Sequence, residues 1–567
     1  MVNWIKQYYL ELLAFGTIFL GLLICCAPNF TWMNTDCDGI HYTYAAKYLV
    51  PSHKTSAPLF LLIEWLFLKL PFGTEFWRMS FMSVIATTIA SVFVYLTIML
   101  RIVGKGIKER ACGIAGAFVF GTSALVISQS TIAESYALVT LFGLAAYYFV
   151  LKGKWNWAAI MLGLGLATHH LIGIPILVLI IAYKELRSWK QIGIMSSFLL
   201  FYLYIPITVA VNNPPNMWGN TTLGSFFNDN ASTALMLIGG LSIWDFPKRV
   251  LDVVGILAVS FGLGLIPLIF GWKVQAGRWL KNPLLWMMIL PVIYFAVNLA
   301  PQTYVYMMPA IGFGAVLIGI GFAKMKYVLQ CVVATGIITL ALFNISYFDL
   351  GKNLDPELSA SKYYYEELQK VPDGGILVAQ QGWEWAAVYF FNKENNRNII
   401  PVCVGTLPSA SYQQGLREMG VIVNDYPDVK LGERPTTIAI DIMENNYDVW
   451  TTLPIEPRTY GATIIPVNKE IISMNIHNLI VSPVSIVDGS TDMDWKWKPS
   501  NPYNFITGAI EVEEWVWITF SNYNMLLLFM LGVIGGVPCW IIWTVVVKRK
   551  KWSLRKQRNE VAIDGRL

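Results

Sequence analysis

Charge is what this 567-residue sequence has least of. Only 14% of its residues are Asp, Glu, Lys or Arg, while 55% are hydrophobic. A soluble fold of this length has no interior large enough for that much apolar side chain, so lipid is the solvent that fits. Histidine is scarce as well, five in all, and no His, Cys, Asp or Glu set stands at metal-site spacing. There is no Gly-rich phosphate loop, low-complexity tract or internal repeat, and no visible inverted symmetry of the kind many secondary transporters carry. No metal and no cofactor is therefore expected. The net charge of +5 is modest, and no nucleic-acid partner is expected either. Cysteine is odd in number, seven. Cys25, Cys26, Cys112, Cys331 and Cys539 lie in apolar runs, where thiols behave as small hydrophobes. Cys37 and Cys403 fall in segments expected to be exposed and are open to pairing.

What the chain has instead is apolar length. Runs long enough to cross a ~30 Å hydrocarbon core occur at about 10–27, 79–100, 111–128, 135–151, 192–211, 250–271, 284–300, 306–323, 327–347 and 525–547. The first, Leu10 to Ala27, reads as a retained membrane helix rather than a cleaved signal peptide. Aromatics reach 14%, with 22 Trp, as expected where indoles anchor helices among headgroups. The stretch Trp157–Tyr183 is too long for one helix and carries Thr168, His169 and His170 at its centre. It reads either as one span with a polar middle or as two short helices meeting at a polar tip.

The distribution of positive charge decides between the two. Let the basic tail (Lys548–Lys551, Arg555, Lys556, Arg558) lie in the cytoplasm. The connectors holding Lys324/Lys326, Lys273/Arg278/Lys281, Lys184/Arg187/Lys190, Lys152/Lys154 and Arg101/Lys105/Lys108/Arg110 then all fall inside only if 157–183 is a hairpin. The expected architecture is a polytopic α-helical membrane protein of about twelve transmembrane helices with both termini cytoplasmic. Ala57–Leu70 holds Glu64 and Lys69 and is too short to span, so it reads as an amphipathic helix at the outer interface. Residues 1–347 form the membrane core, with a long first outer loop at 28–78. Residues 348–524 form an extracytoplasmic domain, 525–547 the final span and 548–567 a basic cytoplasmic tail. In the outer block, strand-like runs at Ile376–Ala379, Ile399–Val404 and Thr436–Asp441 alternate with helical patterns at 384–391 and 409–419. That alternation predicts a small α/β domain.

The remaining polar residues gather at the outer ends of the spans. The first outer loop runs Asn34-Thr35-Asp36-Cys37-Asp38-Gly39-Ile40-His41. Carboxylates just beyond a membrane helix are placed to take a proton from an acceptor or to orient a phosphate-linked donor. The plainer reading is an Asp/Gly turn with solvated carboxylates. Glu134 opens a span at Ala133-Glu134-Ser135-Tyr136, where an acid also complements the helix dipole. His169 and His170 sit at membrane depth, where polar groups need partners, or serve only to break the helix. Arg78 opens the second span where positive charge is otherwise scarce; it suits a phosphate or snorkels toward headgroups. The loop from Pro214 to Thr222, with Asn216 and Trp218, is rich in turn formers and amides, apt for sugar hydroxyls or for capping a helix. Asn220-Thr221-Thr222 and Asn230-Ala231-Ser232 match the glycosylation sequon.

Taken in order, these segments resemble the GT-C superfamily of polyprenyl-phosphate-sugar-dependent membrane glycosyltransferases, and within it the protein O-mannosyltransferase-like family. That family shows a GDSGE-type motif, an Ala-Ala pair and an HPPGYPLY segment. Asp38, Ala45-Ala46, His53 and Pro58-Leu59-Phe60 keep the same spacing. The family's R-x-N-L corresponds to Arg78-Met79-Ser80-Phe81, its A-E-x-Y-A-L to Ala133–Leu138, and its G-L-x-L-x-x-H-H to Gly163–His170. Its Y-L-Y-L-P and N-W-G-D-P correspond to Tyr202–Pro206 and Asn216–Asn220. Gly375–Val378 through Trp383 looks like a segment that follows the membrane core in longer members. Three positions depart: His41 replaces the motif Glu, His53-Lys54-Thr55-Ser56 the HPPG core, and Asn220 the Asp after Trp-Gly.

The resemblance implies a GT-C-like fold. It also implies inverting transfer of a sugar, mannose being the one in the family's name, from a polyprenyl-phosphate donor lipid. The acceptor would be a hydroxyl of a protein or glycan on the extracytoplasmic face of the cell membrane. Asp38 would be the catalytic base. Arg78, Glu134, His169, His170, Asn216 and Trp218 would bind the donor phosphate and substrate, with Asp36, His41 and His53 as secondary candidates. The competing class is non-enzymatic: a transporter or flippase of lipid-linked glycans, or a scaffold with an outer binding domain. A transporter should carry ionisable residues near mid-membrane on several helices, whereas here they gather at the outer ends.

Overall fold

The computed structural model describes residues 2–31, 38–52, 57–212, 245–276, 281–297, 303–349, 363–379, 382–407 and 410–424, with short pieces at 438–439, 441–442, 445–446, 449–453 and 480–483. Helix follows the apolar runs. The first helices are α1 (Val2–Cys25), α2 (Gly39–Tyr48), α3 (Pro58–Phe67), α4 (Glu75–Arg101), α5 (Ile107–Gly121) and α6 (Ala124–Ser130). Next come α7 (Tyr136–Leu151), α8 (Trp155–Leu166), α9 (Gly173–Ala182), α10 (Trp189–Ser197) and α11 (Tyr204–Asn212). The membrane part continues with α12 (Asp245–Phe261), α13 (Leu265–Ala276), α14 (Pro283–Val297), α15 (Met308–Phe322) and α16 (Tyr327–Tyr347).

Among the described residues, six helical segments are long and apolar enough to cross a membrane: Tyr8–Cys25, Glu75–Arg101, Trp189–Asn212, Arg249–Gln275, Tyr304–Phe322 and Tyr327–Tyr347. The number becomes seven if α5 and α6, bent by 60° at their break, are one span. Shorter apolar helices at 58–67, 136–151, 155–166, 170–182 and 283–297 fall below the ~20 residues that a ~30 Å core takes. The last expected span, 525–547, lies outside the described residues.

The stretch 157–183 is a hairpin, as the charge distribution required. α8 stops at Leu166, His169 is extended (φ −161°, ψ 143°), and α9 starts at Gly173. The Trp155 ring, at the start of α8, lies 6.0 Å from that of Tyr183, just past the end of α9. The two arms therefore return to the same level.

Two buried features tie the bundle. Glu11 of α1 accepts hydrogen bonds from the Tyr95 hydroxyl at 2.5 Å and from Arg110 Nε at 2.6 Å, which locks α1 to α4 and α5. α13 and α15 approach so closely that a Cβ on Gly321 would lie 1.8 Å from the Pro267 carbonyl oxygen. Close backbone contact through small residues is how membrane helices gain packing energy without a hydrophobic drive.

α3 differs from its expected role. A surface helix would leave Glu64 in water, but Glu64 is fully buried and, among the described residues, neither carboxyl oxygen has a hydrogen-bond partner. α3 packs among α2 and α4, so the carboxyl side points into protein. An unsatisfied buried polar group is costly, and its replacement by an apolar side chain of similar shape is stabilising. Glu64→Met is expected to stabilise the protein by about 1–3 kcal/mol, read as a higher midpoint of thermal unfolding in detergent.

Beyond α16 the described residues form a four-stranded sheet in the order β2-β1-β3-β4, with β1 (Ile376–Ala379), β2 (Ile400–Cys403), β3 (Val449–Leu453) and β4 (Ile480–Pro483). β1 pairs parallel with β2 and β3, and β4 pairs antiparallel with β3. Helices α17 (Gly382–Asn395) and α18 (Ala410–Glu418) match the two predicted helical patterns. The third strand is not at Thr436–Asp441: the described residues there, 438–439 and 441–442, are helical. Ile438 and Ile442 are both buried, four apart, and Asn445 and Asn446 donate back to the carbonyls of Asp441 and Ile442. That is helical spacing hidden under β-branched composition. Cys403 is a buried thiol inside β2 rather than an exposed one, because all of β2's last three residues face the core. Cys37 lies outside the described residues.

Candidate functional site

Asp38 stands at the start of α2 as its N-cap residue, yet its side chain makes no cap hydrogen bond. Ten residues make a helix that is marginal in isolation, so α2 depends on what surrounds it. Gly39 through Ala46 are all buried. On one side the Tyr42 ring meets Phe60 of α3 edge-on at 4.7 Å. At the far end Leu49 takes a left-handed conformation (φ 51°). Tyr204 donates to the Val50 carbonyl at 3.0 Å, and Asn212 Nδ2 to that of Leu49 at 2.7 Å. The Tyr-Leu-Tyr-Ile-Pro motif thus anchors the helix that carries Asp38.

Glu134, in the turn between α6 and α7, comes to the same place. It is 3% exposed, accepts from the Ser135 N–H at 3.3 Å, and its carbonyl accepts from Ser83 Oγ at 3.1 Å. The Tyr42 phenol is pushed well above its ordinary pKa, first by burial, then by the negative charges of Glu134 and Asp38. Tyr136 and Tyr306 lie within electrostatic reach of both carboxylates too. Two acids far apart in sequence therefore share one aromatic enclosure.

The hairpin tip closes that enclosure. His169 is buried and packs edge-on against Tyr136 at 5.3 Å, while His170, exposed, stacks beside it at 4.2 Å. Tyr306 reaches His170 at 5.8 Å and Tyr294 at 5.5 Å, and the Tyr294 hydroxyl lies 3.5 Å from His170 Nε2. His169 Nδ1 accepts from the Leu171 N–H at 3.2 Å. Assigned from that hydrogen bond, the neutral ring carries its proton on Nε2, as a donor.

Of the residues singled out in the sequence, Asp38, Glu134, His169 and His170 thus come together. His41 is on α2 and buried, with its ring 6.1 Å from that of Trp385. Arg78 is used otherwise. Its guanidinium donates to the carbonyls of Leu68 at 2.6 Å, Phe72 at 3.0 Å and Gly73 at 3.0 Å, which closes the turn between α3 and α4. Asp36, His53, Asn216 and Trp218 lie outside the described residues. Tyr42, Tyr136, Tyr294 and Tyr306 were not expected. Tyr42 and Tyr136 sit inside motifs, next to His41 and two residues after Glu134, and that adjacency was the available signal. Tyr294 and Tyr306 carry no such mark. Chemically, the arrangement offers carboxylates for proton transfer, imidazole donors for an anion, and aromatic faces and phenols suited to a sugar.

Residues 38–191 match the family described as Protein O-mannosyl-transferase TMEM260 N-terminal domain. The chain is 23% identical over 274 residues to the Protein O-mannosyl-transferase tmem260 of Dictyostelium discoideum. That match covers 40% of this chain and 33% of the relative, so the chain spans about a third of that relative's length. Among solved structures, ArnT from Cupriavidus metallidurans bound to undecaprenyl phosphate is similar at 10% identity and a TM-score of 0.48, over 85% of this chain and 98% of that one. The apo oligosaccharyltransferase of Archaeoglobus fulgidus is similar at 14% identity and a TM-score of 0.48, over 80% and 70%.

Proposed function

We propose that this chain, which resembles the protein O-mannosyltransferase-like GT-C family, is a membrane glycosyltransferase. It moves a sugar from a polyprenyl-phosphate carrier to a hydroxyl of a protein or glycan on the extracytoplasmic face. The observation that carries this reading is the convergence of Asp38 and Glu134 on Tyr42, Tyr136 and Tyr306. The match of residues 38–191 to the O-mannosyl-transferase domain supports it and contains all of Asp38, Arg78, Glu134, His169 and His170.

The site's depth suits a lipid-borne donor. α7 and α8 have 16 and 12 residues, so they are roughly 24 and 18 Å long. They begin or end beside Lys152 and Lys154, which the positive-inside rule puts at the cytoplasmic headgroups. Their other ends, at Glu134 and His169, therefore lie short of the far side of a ~30 Å core. Groups recessed to this depth meet a polyprenyl phosphate near where its headgroup resides.

In the proposed reaction the Asp38 carboxylate takes the proton of the acceptor hydroxyl as its oxygen attacks the sugar's anomeric carbon. The bond from that carbon to the phosphate oxygen breaks, the electron pair leaves with the polyprenyl phosphate, and the anomeric configuration inverts. His169 Nε2–H and His170 supply donors toward the departing phosphate. The segment 348–524 lies outside the membrane and both termini lie in the cytoplasm.

Purified full-length protein in proteoliposomes is expected to transfer labelled sugar from a polyprenyl-phosphate sugar to acceptor. Movement of the lipid-linked glycan across the bilayer with no covalent product would instead make it a flippase.

A further inference from the structure

A series of contacts joins α2 to α17, and they run in the same sense along both helices. His41 faces Trp385 with rings 6.1 Å apart, and Tyr44 faces Tyr389 at 6.3 Å. Further along, Tyr48 meets Phe390 at 6.2 Å. At the end, Lys47 Nζ bridges Glu394 at 2.7 Å and Glu75 of α4 at 2.9 Å, with the Tyr48 hydroxyl donating to Glu394 as well. The two helices therefore lie side by side and parallel, with Asp38 at the shared starting end.

α17 is itself rigidly held. Trp385 is fully buried and packs on Tyr389 at 5.1 Å and Tyr412 at 6.3 Å. The Tyr412 hydroxyl accepts from the Cys403 N–H of β2 at 2.9 Å. The sheet, α18 and α17 thus form one body pressed on the open side of α2, opposite Phe60 of α3. A ten-residue helix is marginal alone, so α2 keeps its place only while its packing partners, α17 among them, are present.

We infer that the α/β unit is a positioning element for the chemical step: through Trp385 and the Lys47–Glu394 bridge it clamps α2 and thereby places Asp38. This rests on the transferase reading and extends it, since an α/β unit that only captured acceptor would need no such grip on the helix bearing the base. Trp385 and Glu394 touch no reacting atom; they act through α2.

The test uses the full-length chain with the substitutions Trp385→Ala, Trp385→Phe, Lys47→Glu, Glu394→Lys and the triple exchange Lys47→Glu/Glu75→Lys/Glu394→Lys. The triple exchange puts one glutamate between two lysines, the native arrangement with every sign reversed. Amide hydrogen exchange over residues 39–48 is expected to quicken by about 10-fold or more in Trp385→Ala, Lys47→Glu and Glu394→Lys, as local opening becomes cheaper. The Trp385→Phe protein and the triple exchange should return to near wild-type protection, with α15 unchanged throughout. Transfer kcat is expected to fall about 10-fold or more in the three damaging variants, with acceptor KM within about 3-fold. Unchanged exchange at 39–48 in all three overturns the clamp, and so does a rise in KM with kcat intact. A wild-type protein that transfers no sugar counts against the proposed function alone, because the exchange measurement still decides whether α17 holds α2.

Discussion

Asp38→Asn is expected to lower kcat for sugar transfer by about 10²- to 10⁴-fold, the range over which a positioned base acts. The substitution keeps shape and removes only the ability to take a proton. It should leave folding intact, since the Asp38 side chain makes no hydrogen bond capping α2 and no cap energy is lost with it. The measurement is transfer of labelled sugar at saturating donor and acceptor, alongside a thermal midpoint in the same detergent. A variant that keeps its turnover to within about 3-fold would end the assignment of Asp38 as base. Glu134, inside the same aromatic enclosure, would then take its place as the group to test.

Gly321→Val should have the largest structural effect. The Cβ it introduces would stand 1.8 Å from the Pro267 carbonyl oxygen and 2.5 Å from the Gly271 backbone nitrogen. Both are main-chain atoms of α13, so no side chain can swing aside. α15 cannot retreat either, because nearly every residue of Met308–Phe322 is buried. A cost of about 3 kcal/mol, at the upper end for overpacking, is expected as a fall of several degrees in the midpoint of thermal unfolding. Gly16→Ala is the control, as nothing lies within 4 Å of a Cβ placed there. An unshifted midpoint for Gly321→Val would mean that α13 and α15 are not in backbone contact.

The membrane part was legible for a plain physical reason. A helix that crosses lipid must satisfy its own backbone and present apolar side chains on most faces, so composition over about 20 residues suffices to place it. α1, α4 and α16 lie where the apolar runs put them. Even the hairpin at Trp157–Tyr183 followed from where Lys152, Lys154, Lys184 and Arg187 had to lie. The small sheet was half legible. β1 and β2 are short buried runs bounded by turn residues, and α17 and α18 have helical periodicity. At Thr436–Asp441, β-branched composition suggested a strand where Ile438 and Ile442 in fact share a helical face.

By itself, the sequence determined that the protein is helical and polytopic, and which motifs lie at the ends of its helices. Both are local properties, set by side-chain transfer energies and by spacing along the chain. Only the tertiary structure decided which of those motifs meet. It brought Asp38 and Glu134 under Tyr136, Tyr306 and the His169–His170 tip, and it occupied Arg78 with the carbonyls of a turn. It buried Glu64, and it laid α17 along the helix that carries Asp38. Such meetings depend on how helices cross and how closely their backbones approach, at places like Gly271 and Gly321. No single stretch of sequence records those quantities, since each belongs to a pair of surfaces.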